Sequence, residues 1–187
     1  MGITLANKIT IARFVAIPVL VGTMLYYSPE REYIRWVALG IYLLAEATDV
    51  VDGYVARHLR QKTRAGSILD PLADKLLFLT TLVCLYKISW DFEWPVRLPL
   101  WLVIAFFTRE VFIVIGALVI EIKRGGAEIR PNIFGKATAF LQVICVTAVF
   151  LQFSLTIFIW WLALTATVIS GIIYMREGIK ALNDDHR

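Results

Sequence analysis

Charge is scarce in these 187 residues, and thiols are scarcer. Only 18% are Asp, Glu, Lys or Arg, while 59% are hydrophobic and the mean hydropathy is +0.71. A charged fraction so far below the roughly 25% of soluble domains excludes an ordinary water-soluble fold. Cys84 and Cys145 are the only cysteines. Both sit in apolar runs without metal-ligand or redox spacing, which excludes a disulfide framework and a zinc site and leaves small buried side chains. Internal repeats, low-complexity tracts and a separate soluble domain are also missing, so residues 1–187 read as one membrane domain. Lys8 and Arg13 precede an apolar stretch as in a signal peptide, but Ser28-Pro29-Glu30 offers no small-x-small cleavage site, so a retained first span is expected. Ala6 stands where a myristoylation signal needs Ser or Thr. The net charge of +4 does not point to nucleic acid, because the basic residues lie in short loops rather than on a solvated face with stacking aromatics. Anionic lipid headgroups are the simpler partner.

What the chain has in abundance is long apolar runs, several reaching the ~20 residues that a helix needs to cross hydrocarbon. Six spans are expected, roughly 11–27, 33–57, 69–88, 97–120, 133–150 and 153–175, giving an all-α, polytopic six-transmembrane-helix bundle. The break between the last two rests on Gln152 and Ser154 alone, since residues 137–175 carry no charge. That stretch is nevertheless about twice the length of one span. With the N-terminus inside, the inner loops and span ends hold Lys8, Arg13, Arg57, Arg60, Lys62, Arg64, Lys75, Lys123, Arg124, Arg130, Lys136, Arg176, Lys180 and Arg187. The outer side holds only Arg31, Arg35, Lys87 and Arg97. This asymmetry predicts a multi-pass protein of the cell (inner) membrane with both termini cytoplasmic.

The second span ends unlike a plain transmembrane helix, reading Glu46-Ala-Thr-Asp49-Val-Val-Asp52-Gly53-Tyr-Val-Ala56-Arg57. After a basic loop taken as about ten residues, the third opens Gly66-Ser-Ile-Leu-Asp70-Pro-Leu-Ala-Asp74-Lys75. Spacings of three and four put Asp49 with Asp52, and Asp70 with Asp74, on one helical face each. A short loop makes the helices antiparallel neighbours, so the four acids are expected to converge just below the cytoplasmic surface. Uncompensated carboxylates in a bilayer cost several kcal/mol and repel one another, so positive charge must be present. Arg57 and Lys75 supply part of it. Oxygen-only ligands suit Mg²⁺ or Mn²⁺, and four carboxylates can hold two ions about 4 Å apart, which in turn implies a phosphate-bearing substrate. Gly53, Ala56 and Gly66 leave room for a ligand against the backbone. Each feature alone also has a packing explanation, because small residues and single intramembrane acids commonly join helices. Eight specified positions within residues 49–74 are harder to explain that way.

Those positions, D-x-x-D-G-x-x-A-R-x(8)-G-x-x-x-D-x-x-x-D, match without departure the signature of the CDP-alcohol phosphatidyltransferases, and the chain resembles that family throughout its length. The resemblance implies a di-metal site with Asp49, Asp52 and Asp70 as principal ligands of the ions on the CDP-diacylglycerol pyrophosphate. It implies that Asp74 is both near the metal and the base that deprotonates the acceptor hydroxyl. Gly53, Ala56 and Gly66 would line the cytidine pocket, and Arg57 would hold phosphate. A homodimer is a further family expectation.

The motif identifies the donor, not the alcohol. Arg109 and Glu110 lie well inside the fourth span, and a buried Arg needs either an anionic partner (Glu46, Glu110 or a motif aspartate) or a ligand. Arg109, Arg130 and Lys136 are expected to form a cationic pocket for an acceptor that already carries phosphate. The segments Asn7-x-x-Thr10-x-x-Arg13, Arg109-Glu110 and Gly135-Lys136-Ala137-Thr138 resemble the family members that use glycerol 3-phosphate, although those often carry a second Lys where this chain has Ala137. Inositol phosphate and phosphatidylglycerol stay open as acceptors. Asn7 and Thr10 are expected to contact the CDP-lipid or to cap the first helix. An intramembrane prenyltransferase would need differently spaced aspartates, and a transporter would need charged sites near the midplane of repeated halves.

Overall fold

A computed structural model describes residues 5–59, 64–124 and 133–183, with side chains described over 11–48, 72–116 and 134–176. The described residues form six α-helices and no strand: α1 (Leu5–Leu25), α2 (Tyr33–Leu59), α3 (Arg64–Asp91), α4 (Leu100–Arg124), α5 (Ile133–Phe150) and α6 (Thr156–Asn183). Most outlast the apolar runs that announce them, because helical hydrogen bonding continues into polar sequence where hydropathy drops. The link between α2 and α3 is correspondingly shorter than expected, residues 60–63 instead of about ten. Among the described residues, the α6 stretch Thr156–Arg176 is long and apolar enough by itself to cross a membrane, with Ile11–Leu25 and Phe134–Phe150 as shorter apolar helices.

The chain divides into two units, residues 1–97 and 98–187. In the first, α1 packs along both α2 and α3, which touch each other only lightly. Its core joins Leu20 and Met24 of α1, Ala38 and Tyr42 of α2, and Leu77, Leu82 and Leu85 of α3, all buried. At one end of this unit, where α1 finishes and α2 begins, an aromatic and cationic cluster closes the structure. Trp94 donates its indole N–H to the Tyr27 hydroxyl at 2.9 Å, and Tyr27 meets the Phe92 and Trp94 rings edge-on at 5.2 and 5.3 Å. The Arg35 guanidinium lies over Trp36 at 5.3 Å and Trp94 at 5.5 Å while donating to Glu32 at 2.6 Å.

In the second unit α6 packs against both α4 and α5. Cys145, Val146, Val149 and Ala163 are fully buried, as are Leu102 and Phe106 of α4. The expected break after α5 is present. Gln152 takes a left-handed φ of 54°, the Phe153 N–H reaches back to the Ala148 carbonyl at 3.0 Å, and the Gln152 N–H reaches Val149 at 3.1 Å. Glu93 ends α3 in the same manner, at φ 51°. These paired bonds satisfy the last carbonyls of each helix, a role usually given to glycine. Outward faces of both units are apolar and aromatic, including Trp36, Leu44, Phe112, Phe140, Phe158 and Trp161. An aqueous surface rarely carries that much exposed apolar area.

Candidate functional site

The first unit positions the acidic residues by helix register. Asp49 lies ten residues before the end of α2, and Asp74 lies ten residues after the start of α3 (59 − 49 and 74 − 64). Asp52 lies seven residues before that end and Asp70 six after that start (59 − 52 and 70 − 64). At a rise of 1.5 Å per residue, one acid from each helix stands about 15 Å from the link and one from each about 10 Å. Counted from residues 60–63, α2 and α3 thus each carry one acid at either distance. The expected convergence of the four acids rests on side chains that, Asp74 apart, lie outside the described residues. Gly53, Ala56 and Arg57 belong to the same final turns of α2, and Gly66 to the first turn of α3.

Among the motif's four acids only Asp74 has a described side chain. It is half-buried, with 24% of its side chain exposed, and the Lys75 ammonium stands 3.6 Å from one carboxylate oxygen. The side chains of Asp49, Asp52, Asp70 and Arg57 lie outside the described residues, as do those of Asn7 and Thr10 in the opening turns of α1. Arg13, also on α1, is buried at 4% exposure. Since α1 is the helix that packs against both carriers of the motif, Arg13 is a core cation of the unit that bears the acids.

The second unit buries one arginine and one glutamate. Arg109 is 6% exposed and Glu110 fully buried, and the two are ion-paired. Of the anionic partners expected for Arg109, Glu110 is the one it meets. Side chains one residue apart leave an α-helix about 100° from each other, and the flexible arginine folds back across that angle. The same guanidinium donates to the Gln142 amide oxygen at 3.4 Å, the Gly135 carbonyl at 3.2 Å and the Ser170 hydroxyl at 3.4 Å. One side chain from α4 thus engages α5 and α6.

The Arg109 contact to Gly135 brings it to the first turn of α5, next to Lys136, whose side chain is exposed. Two of the three cations expected to form a pocket are therefore linked through adjacent backbone. Arg130 lies outside the described residues. Thr138 is buried and shares its hydroxyl between the Phe134 carbonyl at 2.8 Å and the Ala166 carbonyl at 3.1 Å, stitching α5 to α6. A Cβ built on Gly135 would meet the Tyr174 ring, with two ring carbons at 3.1 Å and the phenol oxygen closer still, so glycine lets α6 approach there. Gln142 and Ser170 were not singled out by sequence reasoning. The available signal was position: Gln142 lies seven residues, two helical turns, after Gly135 and so on the same face.

The sequence pattern of the CDP-alcohol phosphatidyltransferase family matches residues 3–169. The chain is 35% identical, over 95% of its length and 96% of the relative's, to the CDP-diacylglycerol--glycerol-3-phosphate 3-phosphatidyltransferase of Bacillus subtilis. It is 29% identical to a probable phosphatidylglycerophosphate synthase of Mycobacterium tuberculosis, over 94% of this chain and 82% of that one. A CMP-forming cardiolipin synthase of Streptomyces coelicolor is 30% identical, over 74% of this chain and 60% of that one.

Proposed function

The chain belongs to the CDP-alcohol phosphatidyltransferase family, and from that membership we propose that it moves a phosphatidyl group from CDP-diacylglycerol to glycerol 3-phosphate. The acceptor hydroxyl oxygen forms a new bond to the lipid-linked phosphorus, the bond from that phosphorus to the CMP oxygen breaks, and CMP leaves. The product is phosphatidylglycerol phosphate, a step in phospholipid biosynthesis. The observation that carries the donor half is the complete eight-position motif on α2 and α3. The near full-length similarity to the Bacillus subtilis enzyme supports the acceptor.

In this reading Asp49, Asp52, Asp70 and Asp74 hold two Mg²⁺ or Mn²⁺ ions, which when bound neutralise charge on the donor's pyrophosphate oxygens. Asp74, whose carboxylate is partly open to solvent, accepts the proton of the attacking hydroxyl. Gly53, Ala56 and Gly66 leave space for the cytidine, Arg57 holds phosphate, and Asn7 and Thr10 contact the CDP-lipid. On the acceptor side, Lys136, Arg130 and Arg109 recognise the phosphate that distinguishes glycerol 3-phosphate from a neutral alcohol.

The setting is a lipid bilayer crossed six times, with both termini and the acids cytoplasmic, and a homodimer as the assembly. The apolar span of α6, the shorter apolar α1 and α5, and the outward aromatic side chains support it. Phosphatidylglycerol, the acceptor suggested by the cardiolipin synthase likeness, is the second reading. Purified protein supplied with labelled CDP-diacylglycerol and a panel of alcohols decides between them. Turnover with glycerol 3-phosphate that vanishes in Asp74→Asn and falls in Arg109→Ala supports the proposal. Activity with a neutral alcohol alone would overturn the acceptor, and release of no CMP would overturn the reaction.

A further inference from the structure

Among the described residues of the second unit, three buried hydrogen-bond donors have no acceptor, Arg109 Nε, Gln142 Nε2 and Trp160 Nε1, and the first two belong to one cluster. Their residues are only 6% and 2% exposed. Folded proteins seldom leave such groups alone, and an isolated buried N–H generally marks a bound water or ligand. The two are also coupled. Arg109 Nη1 donates to the Gln142 amide oxygen at 3.4 Å. A guanidinium can only donate, so the amide must turn its oxygen toward Arg109; the flipped amide would set N–H against N–H. The arginine therefore fixes the direction of the glutamine's free donor.

Charge narrows what those donors can take. The guanidinium is neutralised by Glu110, and its two outer nitrogens are occupied by Glu110, Gln142, Gly135 and Ser170. What remains at Nε and at Gln142 Nε2 is hydrogen-bonding capacity for an oxygen lone pair. Among the described residues α4 and α5 make little direct backbone contact, while both pack on α6, so the Arg109 side chain reaches across from one to the other.

We propose that Gln142 is a binding residue for the acceptor. Its Nε2, oriented by Arg109 and joined by Arg109 Nε, donates to an oxygen of the small phosphorylated alcohol. This rests on the acceptor reading given above and adds to it a neutral residue that reads geometry, beside the cations that read charge. Either the phosphate or a hydroxyl of the alcohol supplies the oxygen, and both belong to free glycerol 3-phosphate. A phosphatidylglycerol headgroup offers the same chemistry.

The test compares wild type with Gln142→Met, which keeps length and removes the N–H, and with Gln142→Glu, which keeps the oxygen facing Arg109 and replaces the free donor by an anion. KM for glycerol 3-phosphate, KM for CDP-diacylglycerol and the thermal unfolding midpoint are measured for each. The expected result is a KM for glycerol 3-phosphate about 10-fold higher in Gln142→Met, higher again in Gln142→Glu, with KM for CDP-diacylglycerol within about 2-fold of wild type. Binding of glycerol 3-phosphate without donor lipid should weaken in parallel. An unchanged acceptor KM in both variants overturns the inference and leaves an ordered water as the partner. Parallel rises in both KM values with a fallen midpoint overturn it in favour of a packing role. If wild type uses phosphatidylglycerol and not glycerol 3-phosphate, the acceptor reading fails separately, and the same KM comparison with phosphatidylglycerol decides the role of Gln142. Should Gln142→Met not fold, the two KM values of Gln142→Glu suffice to separate the outcomes.

Discussion

The two units treat ionisable groups in opposite ways. The first keeps its acids near helix ends and leaves Asp74 partly open, with Lys75 at a distance of 3.6 Å rather than in a tight bond. The second seals Arg109 and Glu110 in its interior and surrounds the arginine with acceptors from α5 and α6. Stability explains the second arrangement, because one counter-ion and several hydrogen bonds offset much of the cost of burying a charge. It does not explain the first. In the proposed function, the partly open Asp74 meets ions and substrate. One unit thus leaves an acidic side chain partly open, while the other closes an ion pair inside.

That division can be broken experimentally, beginning where the expected effect is greatest. Chelation of divalent ions should abolish turnover, and added Mg²⁺ or Mn²⁺ should restore it, as followed by CMP release. Asp74→Asn should lower kcat by about 10²–10⁴-fold. Its unfolding midpoint should stay near wild type, and a large loss of stability instead would make Asp74 architectural. In the second unit, Arg109→Met leaves Glu110 as an uncompensated buried charge and should cost about 3–5 kcal/mol. Removing both partners in Arg109→Met/Glu110→Leu should recover much of that, measured by denaturant unfolding in detergent. A finer probe is Gly135→Ala. Helix propensity alone would favour it by up to about 1 kcal/mol, but the new methyl meets Tyr174, and the clash should reverse the sign. In a Tyr174→Phe background, which removes the nearest atom, the same change should become neutral or stabilising. The smallest effect should be Glu93→Gly, since relief of a left-handed φ is offset by the backbone freedom of glycine, leaving about 0.5–1 kcal/mol at most.

Much of this was legible in the sequence, and the exceptions are instructive. The motif spacing located the acids, and α5 occupies residues 133–150 as its apolar run indicates. Other helix ends were misjudged because hydropathy records where the chain avoids water, whereas helical hydrogen bonds persist through Arg64–Leu69 and Met175–Asn183. Composition promised six spans; six helices are present, and among the described residues Thr156–Arg176 of α6 is long and apolar enough to qualify alone. The Arg109 to Glu110 pair was foreseeable, since a cation so placed must find an anion. Gln142 and Ser170 were not, because a neutral polar residue in an apolar run looks the same whether it joins helices or meets a ligand. Gly135 was visible as a motif residue, but its need for a bare backbone comes from Tyr174, distant in sequence and in contact only after folding.

The bond from Trp94 to Tyr27 lies at the opposite end of the first unit from the acids, and it governs them all the same. Slipping α3 along α1 by one turn, about 5.4 Å, would tear that bond and draw Arg35 away from the Trp94 ring. The positions of Asp49 and Asp52 on α2 and of Asp70 and Asp74 on α3 depend on that register, and a clasp of indole, phenol and guanidinium keeps it from sliding.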